Sequence, residues 1–212
     1  MKISTSILSC EDRASAVLKL NSTDTSYIHI DVMDGKFVSD IQLNDFEEIY
    51  QLYLLSEKPF DVHLMVNNPL EYLYKLSSLN VEFISFHVEI DGDIKKNIDY
   101  VHEMGYKVGL AIKPDSDIGL LEKYLDDIDM ILVMSVQPGK GGQSFLEETS
   151  ERIVNIKSLI SDRDILIEID GGINDKTISL VRDVDIAVSG SYIVNSDNYK
   201  ERIDNLLKVQ KC

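Results

Sequence analysis

Short apolar runs rich in β-branched and aromatic residues recur along the chain: KISTSIL, YIHIDVM, FDVHLM, FISFHV, KVGLAI, MILVMSV, ILIEID and DIAVSG. Longer polar stretches with helically spaced apolar residues lie between them and after the last: RASAVLKL, DFEEIYQLYLL, PLEYLYKLSSL, DIKKNIDYVHEM, GLLEKYL, LEETSERIVNIKSLI, DKTISLVRD and NYKERIDNLLKV. Pro69 after Asn68 marks a first helical turn, and Gly105 stands where a glycine closes the fourth helix. Eight strands alternating with eight helices, repeating about every 25 residues, predict an α/β fold, a closed parallel (β/α)8 TIM barrel. An open doubly wound sheet is the alternative, but it usually carries a glycine-rich fingerprint after its first strand, and STSILSCED has none. No linker or low-complexity tract interrupts the chain, so residues 1–212 are expected to form one domain.

The second run carries an unusual face. Side chains alternate along a strand, so Ile28, Ile30 and Val32 take one side and His29, Asp31 and Met33 the other. In a barrel the polar row points inward near the carboxyl ends of the strands, where active sites gather. Other runs repeat the pattern: His63 with Met65, Ser85 with His87 and Glu89, Met134 near the end of the sixth, and Asp170 at the tip of the seventh. Three of the four histidines stand at such positions; the fourth, His102, falls in a helix.

A single strand histidine commonly does no more than satisfy a neighbouring backbone group. His29, Asp31, His63 and Asp170 together, from the tops of three strands, form a cage of nitrogen and hard oxygen donors. Such a cage suits one divalent metal ion (Zn²⁺, Fe²⁺, Mn²⁺ or Co²⁺) and leaves room for a substrate oxygen. It also suits proton abstraction beside a carbonyl. The cation polarises the carbonyl, one of Asp31 and Asp170 removes the carbon-bound proton, and the other returns one from the opposite side, inverting the stereocentre. Met33, Met65 and Met134, each ordinary core filler if met alone, suggest a polarizable wall that excludes water from the developing charge.

The charge balance constrains what else can bind. With 37 acids against 21 bases the formal net charge is −16, which disfavours nucleic acid and anionic membranes as partners. Cys10 and Cys212 are too few for a disulfide framework, and no run has the length of a membrane span or the core of a signal peptide. A soluble cytoplasmic protein is expected. An anionic ligand would need a local device against that field, and one is present. QPGKGGQSF after the sixth run, DGGIN after the seventh and SGSYI after the eighth bring glycines to the place where barrels commonly seat a phosphate.

Taken together, the blocks SILSCE, HIDVMDGKFV, DVHLMV, SFHVE, GLAIKP, MSVQPGKGGQSF, IDGGI and SGSYI resemble the ribulose-phosphate 3-epimerase family, in order and in spacing, almost end to end. The resemblance implies a (β/α)8 barrel that interconverts D-ribulose 5-phosphate and D-xylulose 5-phosphate with a bound divalent metal, in the pentose phosphate pathway. It implies metal ligands at His29, Asp31, His63 and Asp170, with Asp31 and Asp170 as the acid/base pair. Ser6 and His63 would touch the sugar; Gly139, Lys140, Gly141, Gly142, Gly171, Gly172, Gly190 and Ser191 would frame the phosphate. A homo-oligomer is also implied.

Some positions depart from the family pattern. Gln137 and Lys140 replace its usual Asn and Phe, Ser39-Asp40 its Pro-Asn, Lys113 an Asn, and CED a small residue, Asp and an aromatic. Lys140 is either a solvated side chain or an added cation near the phosphate. None of these touches the four ligands, but together they leave the sugar open: a hexulose 6-phosphate such as allulose 6-phosphate is the rival substrate. A sugar-phosphate-binding barrel without catalysis is the non-enzyme alternative.

Overall fold

The computed structural model describes residues 1–209, so Cys212 lies outside the described residues. Its elements follow the expected alternation: β1 (Lys2–Ser6), α1 (Arg13–Asn21), β2 (Tyr27–Asp34), β3 (Ile41–Gln42), α2 (Phe46–Leu55), β4 (Phe60–Met65), α3 (Leu70–Leu76), β5 (Val81–His87), α4 (Ile94–Glu103), β6 (Lys107–Ile112), β7 (Met130–Met134), α5 (Thr149–Ile160), β8 (Leu166–Asp170), β9 (Ile186–Ser189), α6 (Ser191–Val194) and α7 (Tyr199–Val209). Eight strands run parallel in the order β1-β9-β8-β7-β6-β5-β4-β2, and pairing of β1 with β2 closes the barrel. The ninth, β3, is two residues long and antiparallel to the end of β2.

Local chemistry sets the helix ends. Asp12, Asp45 and Asp93 each accept a hydrogen bond from a first-turn backbone N–H, capping α1, α2 and α4. After α4, Gly105 turns the chain with φ +81°, in the left-handed region that favours glycine. Two stretches expected as α-helices, GLLEKYL and DKTISLVRD, instead form 3₁₀ helices at Ile118–Tyr124 and Ile178–Val181. Both are short, and over one or two turns the i+3 and i+4 bonding patterns compete closely.

The two strand faces differ as the alternation requires. Ile28, Ile30 and Val32, with Val62 and Leu64 beside them, belong to the main core cluster between barrel and helices. Burying each such side chain contributes roughly 1.5–3 kcal/mol. Inside the barrel, Tyr27, Phe83, Met130 and Ile186 form a separate cluster, with the Tyr27 and Phe83 rings packed edge to face. Nearer the carboxyl ends the interior divides. Ala111, Leu132, Met134 and Val136 make an apolar patch, mainly on the β6–β7 side. The β1, β2, β4 and β8 side holds buried Ser4, His29, Asp31, Asp61, His63 and Glu168.

Candidate active site

A solvent-open cleft of about 550 Å³ lies at the carboxyl ends of the strands. Ser6, Asp31, Met65, Met134 and Asp170 line it, with Gly139, Lys140, Gly141, Gly142, Gly171, Gly172, Gly190 and Ser191. His29 and His63 are completely buried. Met33 is buried as well and, like the two histidines, stands behind the residues that line the cleft.

The four cage residues converge. One ligand atom from each of His29, Asp31, His63 and Asp170 can be chosen so that all lie within 4.8 Å of one another. Oδ1 of Asp31 is 3.4 Å from Nε2 of His29 and 3.4 Å from Nδ1 of His63. Both of these nitrogens are buried without a hydrogen bond, while the opposite nitrogen of each ring is engaged. Buried polar atoms rarely go unpartnered. Two that face the same carboxylates are what a metal cage presents before its ion is counted, and the donor set fits a divalent cation.

A second layer of acids lies below. Nδ1 of His29 is 2.7 Å from Oδ2 of Asp61, which also accepts from Ser4 Oγ at 2.7 Å. With that carboxylate accepting, Nδ1 of His29 carries the hydrogen and Nε2 is the nitrogen that could ligate a metal. Glu168 sits against Asp61. Burial and the Asp61 charge hold its carboxyl well above the ordinary range, and its proton serves Asp61. That proton also answers for two of the three unpartnered atoms here, Oδ1 of Asp61 and the Glu168 oxygen that carries it. His29, Asp61 and Glu168 could themselves surround a cation, but there Nδ1 of His29 is already engaged. Asp61 and Glu168 were not among the expected site residues, although each shares parity with one that was.

The two cage carboxylates differ in proton affinity. Burial would raise Asp31, but His29 and His63 hold it well below its ordinary value. Ser6 Oγ donates to its Oδ2 at 2.8 Å. Asp170 is pushed up to about 6, first by burial and then by the Asp31 charge. On the far side of His63, Nε2 meets Nε2 of His87 at 3.0 Å, and burial pushes His87 down to about 4.

Comparison with known proteins adds the lineage. A family model described as the ribulose-phosphate 3 epimerase family matches residues 2–194. The chain belongs to that family. It is similar to the ribulose-phosphate 3-epimerase of Bacillus subtilis (strain 168), with 30% identity over 213 residues, 97% of this chain and 98% of that one. It is also similar to the Helicobacter pylori (strain J99) ribulose-phosphate 3-epimerase, at 33% over 217 residues, 100% and 99% of the two chains. Among solved structures, 3-hexulose-6-phosphate synthase from Salmonella typhimurium matches with a TM-score of 0.69 and 15% identity, covering 100% of this chain and 99% of that one. That last likeness is one of fold alone. Two of the departures from the epimerase family pattern fall in the cleft. Gln137 and Lys140 line the cleft, and the Lys113 ammonium lies 4.1 Å from the centre of the Phe37 ring.

Proposed function

We propose that this chain interconverts D-ribulose 5-phosphate and D-xylulose 5-phosphate by inverting carbon 3. The observation that carries the reading is the meeting of Asp31 and Asp170 with two bare imidazole nitrogens at the foot of a glycine-lined cleft. His29, Asp31, His63 and Asp170 would hold one divalent ion, Zn²⁺, Fe²⁺, Mn²⁺ or Co²⁺, which when bound supplies a Lewis acid for the carbonyl oxygen.

The residues do the rest. In one direction Asp31 takes the proton from carbon 3 and Asp170 delivers one to the opposite side of the enediolate; in the other direction they exchange roles. Their environments separate their proton affinities, as an acid and a base require. Ser6 orients Asp31 through its hydrogen bond and offers the sugar a hydroxyl partner. Met65 and Met134 keep water from the reacting carbon. Residues 139–142, with Gly171, Gly172, Gly190 and Ser191, frame the phosphate. Backbone amides 139–142 make no hydrogen bond to protein groups among the described residues, which leaves them for an anion.

The test is turnover of ribulose 5-phosphate and allulose 6-phosphate side by side, with deuterium wash-in followed at carbon 3. Faster turnover of the pentulose, with solvent deuterium at carbon 3, is expected. Preference for the hexulose would refute the substrate, and absence of exchange with either sugar would refute the chemistry.

A further inference from the structure

A chain of hydrogen-bonding groups runs from the cage to the barrel rim. The backbone N–H of Lys113 donates to Oε1 of Glu89 at 2.8 Å. Oε2 of the same carboxylate is 3.1 Å from Nδ1 of His87. Nε2 of His87 is 3.0 Å from Nε2 of His63, whose Nδ1 faces Asp31 and Asp170.

With a neutral His87 the polarity of this chain has one solution. A backbone N–H only donates, and an ionised carboxylate only accepts. Nδ1 of His87 therefore carries the hydrogen. The buried ring, covered by Phe37 at 4.6 Å between centres, is neutral, so its Nε2 is a lone pair. Nε2 of His63 must then donate, and Nδ1 of His63 is left bare toward the cage. We infer that Glu89 and His87 are positioning residues that select, from an anchor on the Lys113 backbone, the His63 tautomer able to ligate a metal. This deepens the reading above and rests on it. Arg152 steadies the far end by donating to the carbonyls of Lys113 and Ser116 at 3.0 and 2.6 Å.

Glu89→Gln tests it. The Lys113 N–H cannot turn, so the new amide must give it Oε1 and present the NH₂ to His87. Every donor and acceptor beyond that point reverses, and the hydrogen of His63 moves from Nε2 to Nδ1. Glu89→Ala admits water, which donates or accepts as needed and imposes no tautomer. Nitrogen NMR of histidine-labelled, metal-free protein at mildly alkaline pH reads the hydrogen on His63 Nε2 directly. Absorption titration with Co²⁺ reads affinity.

The expected result is a hydrogen on Nε2 in the parent protein and none there in Glu89→Gln. Co²⁺ binding should weaken about 10–100-fold in Glu89→Gln, more than in Glu89→Ala. A loss of charge or of packing alone would make the isosteric Gln the milder change. A bare Nε2 in the parent protein overturns the inference, and that measurement stands even if a variant fails to fold. So does a Gln variant that binds Co²⁺ as well as the Ala variant. A parent protein that takes up no Co²⁺ overturns the metal reading itself; one that binds Co²⁺, with Glu89→Gln unaffected, overturns only the tautomer assignment.

Discussion

Asp31 and Asp170 approach one and the same atom: their carboxylate oxygens lie 3.4 and 4.0 Å from Nδ1 of His63. They arrive from strands that are not neighbours, since β1 and β9 stand between β2 and β8. The barrel thus brings two acids from different directions onto whatever is bound above His63, and a two-sided proton transfer needs that arrangement.

Replacing either acid by its amide should therefore stop inversion but not all proton exchange. Asp170→Asn and Asp31→Asn are each expected to lower kcat by about 10²–10⁴-fold, the usual reach of a positioned acid or base. Each variant, with its metal content measured in parallel, should still exchange the carbon 3 hydrogen of one epimer and not the other. Appreciable inversion by Asp170→Asn would remove that residue from the chemistry.

Protons and metal compete for the same cage. Asp170 is held up to about 6 by burial and by Asp31. Burial lowers His29, but Asp61 and Asp31 more than offset it and raise it above its ordinary value. Below those values each group carries a proton that a cation must displace, so affinity falls as pH falls. Co²⁺ affinity should climb from about pH 5 as Asp170 loses its proton near 6, and go on climbing above pH 6.5 as His29 loses its own. Calorimetry in buffers of different ionisation enthalpy should count at least one proton released near pH 6. Affinity that stays flat over that range would contradict the assignment.

Much of this was readable because period two is strict. The opposition of Ile28, Ile30 and Val32 to His29, Asp31 and Met33 needed only a barrel to give it meaning. Asp61 and Glu168 obey the same parity as His63 and Asp170, but a lone acid in an apolar run does not reveal its partner. Their roles depend on register, on how His29 pairs with Asp61 across β2 and β4, and on a shift between Phe60 and Asp61 in the next pairing. The short β3 was missed for a related reason. It pairs with the end of β2 and depends on a turn at Gly35 with φ +72° rather than on any β-rich run.

Lys140 is the cation among the cleft-lining residues in a chain of net charge −16, and its ammonium has no hydrogen bond or ion pair among the described residues. It is exposed, so water and salt screen it. Lys140→Phe should raise KM for the phosphorylated ketose about 2–10-fold at low salt and leave kcat alone, and the difference should shrink as salt increases. A KM that does not move at any ionic strength would make Lys140 a bystander.

The glycines of the cleft should not be equal under substitution. Gly172 adopts φ +65°, and a Cβ there would lie 2.5 Å from the backbone nitrogen of Phe145 and 2.9 Å from its Cα, neither of which can swing aside. Gly142 adopts φ +72°, yet a Cβ there would meet nothing within 4 Å. Both changes carry the cost of a left-handed backbone, about 1 kcal/mol, and only the first adds a backbone collision. Gly172→Ala should therefore cost about 2–4 kcal/mol in all, lowering Tm by several degrees more than Gly142→Ala. It should also raise KM for the phosphorylated sugar at least about tenfold, because relieving the collision moves the residues 143–145 backbone beside the proposed phosphate seat. Melting curves and initial rates on the two variants decide the matter. Equal losses would mean that backbone conformation alone, and not the approach of Phe145, explains the glycine at 172.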